Sequence, residues 1–451
     1  MTGVQEFDVI VLGAGNAGLA AAGVARAAGR RVLVVEAAEV GGVCPLRGCV
    51  PKGVMVAAAE AFDTISRAGT HRIRVGPPEL DWAGLVERTR TFVDGVASRL
   101  EQDLVGRGIE LVRGRARLTG PSEVAVGSRR YLAEKLVVAT GSTPRPLPIP
   151  GARGLITSTE VLELATLPEC ITFVGAGVVA FELAHVLARA GAHVTLLEVS
   201  ERPLPGVDAD AAAVLVRATL DLGVQIETSV TLDRIDEHHS GFDVHYRKGR
   251  SKASVRGTVV VNGAGRVPDL GGLDLDAAGI RLDQGRVSVD EYLRSTENPN
   301  VLFAGDAIPG RPQRSPLATH EGRVAGHNAV HEDLQAVEYG FQPAAVFTIP
   351  ALATVGRLES DARREGLEFD VRTNDMREWR SARSRGERFA WAKVLVERRT
   401  DRILGAHLVG HGAAETIHTF AMAIEMGIPA RDIASRVYAY PTFHADLRFL
   451  V

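Results

Sequence analysis

The chain has 451 residues, too many for one ordinary hydrophobic core, so two to four domains are expected. Apolar residues make up 45% and charged residues 24%, as in ordinary globular proteins, and a net charge of −3 argues against nonspecific binding to nucleic acid or anionic membranes. No apolar run reaches transmembrane length, the start lacks a basic leader, and three cysteines are too few for a secreted disulfide framework. A soluble cytoplasmic protein without a signal peptide is expected.

The first chemical pattern occupies residues 7–36: an apolar strand, an Ala-rich helix and a second apolar strand. Gly13, Gly15 and Gly18 fall in the strand-to-helix turn with G-x-G-x-x-G spacing. That spacing gives a tight turn, close approach to a pyrophosphate at the helix N-terminus, and close helix–strand packing. Glu36 ends the second strand, where an acid accepts a ribose hydroxyl. Cys44 and Cys49 follow directly, near the predicted start of a helix and close enough to close a small disulfide loop. A helix N-terminus lowers the pKa of a thiol and favours the reactive thiolate. Zinc is the competing use of such a pair, and two accidental structural cysteines the bland one. No second Cys or His pair stands at ligand spacing, and Cys170 is far off in sequence, so no metal site is expected.

Pro144, Pro146, Pro148 and Pro150 alternate in a stiff connector. Residues 171–198 then repeat the strand–turn–helix–strand plan, with Gly175, Gly177 and Ala180 in the turn and Glu198 at the end, which implies a second nucleotide domain. Past about 328–342 the glycine-rich turns thin out. The rest, from about 343 to 451, mixes strand patterns with one long apolar helix and reads as a separate α+β domain.

Residues 41–51, GGVCPLRGCVP, match the hallmark GGTCxNxGCxP in frame, and Lys52 follows directly. Further landmarks follow in order: Ala139-Thr140-Gly141, the second glycine turn, Gly265-Arg266-Val-Pro-Asp, Phe-Ala-Gly305-Asp306, and Phe-Thr-Ile-Pro at 347–350. Over essentially its whole length the chain resembles the pyridine nucleotide-disulfide oxidoreductase family, which includes glutathione reductase, dihydrolipoamide dehydrogenase and mercuric reductase. The resemblance implies an α/β fold with two Rossmann-like dinucleotide-binding domains and a C-terminal α+β dimerisation domain. The implied boundaries are 1–150 and 268–340 for the FAD-binding parts, 151–267 for the NAD(P) domain and 341–451 for dimerisation. It implies FAD and NAD(P)H as cofactors, a homodimer, and a small-molecule disulfide or other electron acceptor as partner. Cys49 would be the thiol beside the flavin and Cys44 the thiol that meets substrate. Lys52 and Glu182 match a lysine–glutamate pair near the flavin. Asp306 would hold the ribityl chain, and residues 139–141, Gly265, Arg266, Gly305 and Ala318 would line the cofactor sites.

The departures are as informative. Val43 stands for the usual threonine and Leu46 for the asparagine between the cysteines. The C-terminal HPTxSE becomes Tyr440-Pro-Thr-Phe-His444-Ala445, so Tyr440 takes the histidine position and Ala445 the glutamate position. Tyrosine ordinarily titrates near ~10 against ~6.5 for histidine, and so is a poor base at neutral pH. His444 lies one residue off the frame and reads as a surface or interface histidine. Mercuric reductase and soluble transhydrogenase also carry tyrosine here, but the first needs a C-terminal cysteine pair that is missing, and the second lacks one active-site cysteine. Ala180 points to NADP, whereas Glu198 would repel a 2′-phosphate; Arg202 is the one residue nearby that could rescue it. Coulomb repulsion outweighs one methyl group, and NADH is expected. The expected activity is electron transfer from NAD(P)H through FAD to Cys44–Cys49 and on to a disulfide or thiol-linked substrate. The alternative is a flavin-centred reductase of quinones, metal ions or oxygen, or a transhydrogenase, in which the disulfide only stores electrons; a non-catalytic redox scaffold comes third.

Overall fold

The computed structural model describes residues 4–451 and divides into two compact units. The first comprises the described residues up to Lys52, with Arg88–Arg145 and Arg266–Glu338; the second comprises Gly53–Glu87, Pro146–Gly265 and Tyr339–Val451. No helix among the described residues is long and apolar enough to cross a membrane.

In the first unit, strand Gln5–Leu12 pairs in parallel with Val32–Glu36 on one edge and Arg129–Val138 on the other, and Glu110–Arg113 extends the sheet beyond Val32–Glu36. The run from Val9 to Leu12 is buried throughout, as expected of a parallel strand covered on both faces. The other edge of Arg129–Val138 is shared. Residues 129–132 take Glu123–Val126 in antiparallel fashion, and residues 136–138 take Val301–Phe303 in parallel. Helix Asn16–Ala27 lies against helix Ser315–Asn328 with almost no side chain between them. A Cβ added at Gly322 would stand 2.2 Å from the Ala17 carbonyl oxygen, and one at Gly326 2.6 Å from that of Ala21.

The second unit repeats the parallel plan in four strands, ordered Gln225–Glu227, His193–Leu197, Cys170–Val174 and Val259–Asn262. Helix Val178–Ala190 follows the second glycine turn, and an antiparallel three-stranded sheet spans Val230–His238, Gly241–Lys248 and Ser251–Gly257. The C-terminal part is a five-stranded antiparallel sheet from Ala344–Val346 to Ile403–Val409, backed by the apolar helix Ala413–Glu425. Two large buried polar side chains here are held by partners. Lys393, 2% exposed, reaches Asp208, Asp210 and Glu359 at 3.1, 2.5 and 2.8 Å. His185 accepts the Ile349 amide and lies 2.9 Å from the Thr219 hydroxyl, and burial pushes its pKa down to about 3. Pro144 belongs to the short strand Ser142–Pro144, paired with Arg266–Pro268, so the connector becomes irregular only after it.

Candidate functional site

The first cradle is built of backbone, and each glycine has a separate reason. Gly13 has φ +104°, and a Cβ there would meet the Ala139 carbonyl oxygen at 2.3 Å. At Gly18 a Cβ would stand 1.8 Å from the Gly13 carbonyl oxygen. Gly15 is different: the nearest atom is the Gly42 Cα at 3.9 Å, which leaves its backbone open to a ligand. The Glu36 carboxylate accepts the Ala14 amide at 2.6 Å and the Ala38 amide at 2.7 Å, and so braces the turn from outside. Thr140, which follows the strand Arg129–Val138, has a buried hydroxyl with no hydrogen-bond partner among the described residues. A glycine floor, amides at a helix N-terminus and an unsatisfied buried hydroxyl fit a bound dinucleotide.

The glycine pair 41–42 carries the chain past this cradle. Both residues have positive φ, and a Cβ on Gly42 would stand 2.9 Å from the Gly15 Cα. Cys44 follows in the short helix Val43–Arg47, and Cys49 opens the helix Cys49–Ser66. Leu46 is buried, with its methyl facing Gly41, so the departure from asparagine is a packing residue. The cysteines are not joined in this structure. Contrary to the expectation of a lowered thiol pKa, the Cys44 thiol is pushed well up, first by its hydrogen bond with Cys49 and then by burial. A helix of five residues contributes little against these two causes. The Ser315 hydroxyl pulls the other way, and it lies 3.7 Å from the Cys49 sulfur.

Ser315 was not legible as a site residue, since it lies 266 positions from Cys49. Its one signal is the Ser-Pro pair that opens the helix Ser315–Asn328. The same helix supplies Ala318 and Glu321. Gly305, at φ +70°, approaches Ala17 and Ala318 so closely that a Cβ would stand 3.0 and 3.2 Å from theirs. Glu321 accepts the Gly305 amide at 2.7 Å and pairs with Arg311 at 3.0 Å, yet burial pushes its pKa up to about 7. Beside Gly305, Asp306 accepts the Ser142 hydroxyl at 2.9 Å, and Arg266 donates to that hydroxyl at 2.9 Å and to the Ser142 carbonyl at 2.5 Å. Burial raises the Asp306 pKa against the pull of Ser142 and Arg266. Gly141 is tied in through the Asp269 amide. The first unit contains Gly13, Gly15, Gly18, Glu36, Cys44, Cys49, Lys52, residues 139–141, Arg266, Gly305, Asp306 and Ala318.

The second unit holds the other set. Gly175 has φ +112°, with the Gly263 carbonyl oxygen 2.3 Å from where a Cβ would be; Gly177 has nothing within 4 Å. Ala180 is buried. Glu198 accepts the Ala176 amide at 2.8 Å and the Ser200 amide at 2.9 Å, the same two bonds that Glu36 makes. Arg202 donates to the carbonyls of Leu204, Pro205 and Val207, so its guanidinium is committed within its own loop. Gly265, at φ +94°, has open space where its side chain would be. Glu182 is buried and accepts the Phe347 amide at 2.9 Å; it lies in the second unit, whereas Lys52 lies in the first. Tyr440 is 66% exposed, with the Arg380 guanidinium over its ring. Ala445 is buried. His444 stands 3.2 Å from the Thr419 hydroxyl and edge-on to Tyr438, and burial lowers its pKa. Cys170 begins a strand in this unit. Among the described residues no cluster of three or more His, Cys, Asp or Glu is placed to hold a metal ion.

These features recur in known proteins. Residues 7–322 match the pyridine nucleotide-disulphide oxidoreductase family, and residues 342–448 match its dimerisation domain. A glutathione reductase from Nostoc sp. is 31% identical over 97% of both chains. A mercuric reductase from Bacillus cereus is 28% identical over the whole of this chain and 72% of its own length. The solved Cu(II) complex of the HOCl-induced flavoprotein disulfide reductase RclA from Escherichia coli superposes with a TM-score of 0.89, at 25% identity and 99% coverage of each chain. The chain belongs to the pyridine nucleotide-disulfide oxidoreductase family and is an FAD- and NAD(P)H-dependent oxidoreductase.

Proposed function

We propose that the chain is an NADH-preferring homodimeric reductase of the cytoplasm that delivers electrons through Cys44 and Cys49 to its acceptor. The observation that carries this is the thiol pair, placed directly after a cofactor cradle and in contact with Ser315. The chemistry that a bound FAD would supply is acceptance of hydride from the nicotinamide and delivery of the electron pair to the disulfide. The chain's own residues do the rest. Glu36 and Glu198 brace the two glycine turns, Asp306 and Arg266 are locked through Ser142, and Cys49 and Cys44 store the electrons as thiols. With a disulfide acceptor, a Cys44 thiolate attacks one sulfur and expels a thiolate that must take up a proton. Cys49 then attacks Cys44, which closes their disulfide and releases the second thiol. NADH is favoured because Glu198 occupies the ribose end of the second cradle and Arg202 is spent on three carbonyls.

A second reading is reduction of thiophilic metal ions. Two Cu(II) ions would each take one electron from the dithiol, leaving two Cu(I), the disulfide and two protons. The solved neighbour holds Cu(II), and another relative is a mercuric reductase. A leaving thiolate needs acid assistance, typically worth ~10²–10⁴-fold, whereas a reduced metal ion needs none. Tyr440 and a buried Ala445 do not supply the usual acid–base pair, and His444 faces Thr419 within its own domain.

One anaerobic experiment addresses both readings. Two-electron reduction by NADH should give a long-wavelength thiolate-to-flavin absorption band that Cys49→Ser abolishes. Glutathione disulfide and lipoamide should then be reduced slowly, and copper(II) or quinones faster. Absence of the band, or its survival in Cys49→Ser, would sink the thiol assignment. Robust turnover of glutathione disulfide, barely altered by Tyr440→Phe, would overturn the acceptor preference.

A further inference from the structure

Residues 199–208, which follow the second acid, form a loop that reaches back to the second glycine turn. Three of its carbonyls are gathered on one guanidinium: Arg202 donates to Leu204, Pro205 and Val207 at 3.0, 2.9 and 3.0 Å. Leu204 is buried in a left-handed conformation, φ +52°, and its amide donates to the Ala176 carbonyl at 3.2 Å. The Ala176 amide in turn goes to Glu198, so the loop is stitched to the turn from both sides. The loop ends at Asp208, one oxygen of which caps the helix Ala209–Asp221 by accepting the amides of Asp210 and Ala211. The other oxygen accepts from Lys393 at 3.1 Å, across 185 positions, and both side chains are buried. Lys393 comes from the strand Trp391–Glu397 of the C-terminal sheet, and Asp210 and Glu359 complete its shell of acids. All of these residues belong to the second unit.

Removing the charge of Lys393 leaves Asp208 a buried carboxylate without its cation, a costly state that draws the acid toward water and pulls on the loop behind it. Arg202 is the one cation of residues 199–208. A guanidinium matches a phosphate with paired N–H donors, and charge-assisted bonds of this kind are roughly twice as strong as those to neutral acceptors. In a loosened loop a 2′-phosphate therefore competes for Arg202 against the three carbonyls; in the clamped loop it does not. We propose that Lys393 is a positioning residue for nucleotide choice: through Asp208 it fixes the loop 199–208 with Arg202 turned onto its own carbonyls, and so keeps a phosphate-binding cation out of the second cradle. This rests on the reading that Glu198 marks the ribose end of an NADH site. Lys393 needs no contact with the nucleotide, because it acts through Asp208 on the loop.

The test uses the holoenzyme and no acceptor: anaerobic reduction of the bound flavin by NADH or NADPH, followed by absorbance, gives an apparent Kd and a limiting rate for each nucleotide. Lys393→Met removes the charge and keeps the length of the side chain. Asp208→Asn is the gentler variant, since asparagine still caps the helix and Lys393 keeps Asp210 and Glu359, and it carries the test if the first fails to fold. Either variant should tighten NADPH relative to NADH by about tenfold in Kd, with the limiting rates moving little. Adding Arg202→Gln to either should abolish that gain, and amide hydrogen exchange over residues 199–208 should be faster in both variants than in the wild type. If the wild type prefers NADH and both variants change the two nucleotides by one factor, the inference is overturned and the NADH reading stands. A gain for NADPH that survives Arg202→Gln, or unchanged exchange in the loop, overturns the inference in the same way. A wild type that prefers NADPH removes the NADH reading, and the inference with it.

Discussion

A methyl group at Gly18 would stand 1.8 Å from the Gly13 carbonyl oxygen, while at the matching place in the second cradle Ala180 carries one without strain. The two cradles share a parallel strand, a helix, and a terminal glutamate that accepts two amides. They differ in what stands behind them. The first is backed by the helix Ser315–Asn328, which approaches Ala17 and Ala21 at glycines and reaches Gly305 through Glu321. The second has Gly177 open and a side chain tolerated at the third turn position. The first cradle is therefore the more tightly packed of the two at its third turn position.

Exchanging the third turn residue breaks this comparison most sharply. Gly18→Ala forces a Cβ into backbone that cannot yield, and backbone overpacking of this kind exceeds the ~1 kcal/mol that alanine gains over glycine in a helix. It should lower stability by about 3 kcal/mol or more, and the protein should be recovered with little flavin. Ala180→Gly should cost about 1 kcal/mol, with flavin retained. Thermal unfolding and flavin content of the two purified variants decide the matter; equal losses would show that the cradles are built alike.

The repeat, its glycines and the two acids were readable because each lies within some thirty residues of its partners, in a pattern that backbone geometry enforces. The same holds for Cys44 and Cys49. What the sequence hid was contact across long separations. Ser315 meets a thiol 266 positions away, and Glu321 meets Gly305 only because two helices and a strand end converge. The antiparallel sheet from Val230 to Gly257 was missed for another reason: its strands are polar and half exposed, so they lack the apolar runs that marked the parallel strands. The stack of Arg380 on Tyr440 joins positions sixty apart and has no motif. His444, one residue off the family frame, turns to Thr419.

Glu321 offers a smaller effect that belongs to the first cradle alone. Its pKa is pushed from 4.5 to about 7 by burial, against the opposing pull of the Gly305 amide and Arg311. Because the fold holds the protonated acid best, that stabilisation is complete below the ordinary glutamate value and is lost as pH rises through about 7. The loss is on the order of 3–4 kcal/mol, since each pKa unit corresponds to about 1.4 kcal/mol. Glu321→Gln keeps an acceptor for the Gly305 amide and cannot ionise. Denaturant midpoints compared between about pH 5 and about pH 8 should therefore fall more in the wild type than in the variant. Parallel slopes would place the buried charge elsewhere.

The smallest effect separates the two terminal glutamates, which look alike in the structure. Glu36 and Glu198 each hold their turn through two amides, so alanine at either position leaves those amides to water or to a neighbour. In the first cradle that loss weakens a seat already fixed by the Ser315–Asn328 helix. In the second cradle it also removes the charge that would repel a 2′-phosphate, and Arg202 is too committed to three carbonyls to replace it with an attraction. Glu198→Ala should therefore lower kcat/KM for NADH and leave that for NADPH nearly unchanged or raised, narrowing the preference by roughly tenfold, or about 1.4 kcal/mol. Glu36→Ala should lower activity with both nucleotides by the same factor, because it acts on the flavin seat and discriminates between neither. Steady-state kinetics with both nucleotides, for the wild type and the two variants, separates these outcomes. A wild type that prefers NADPH, or a Glu36→Ala enzyme that changes the ratio, would show that the second acid does not set nucleotide choice.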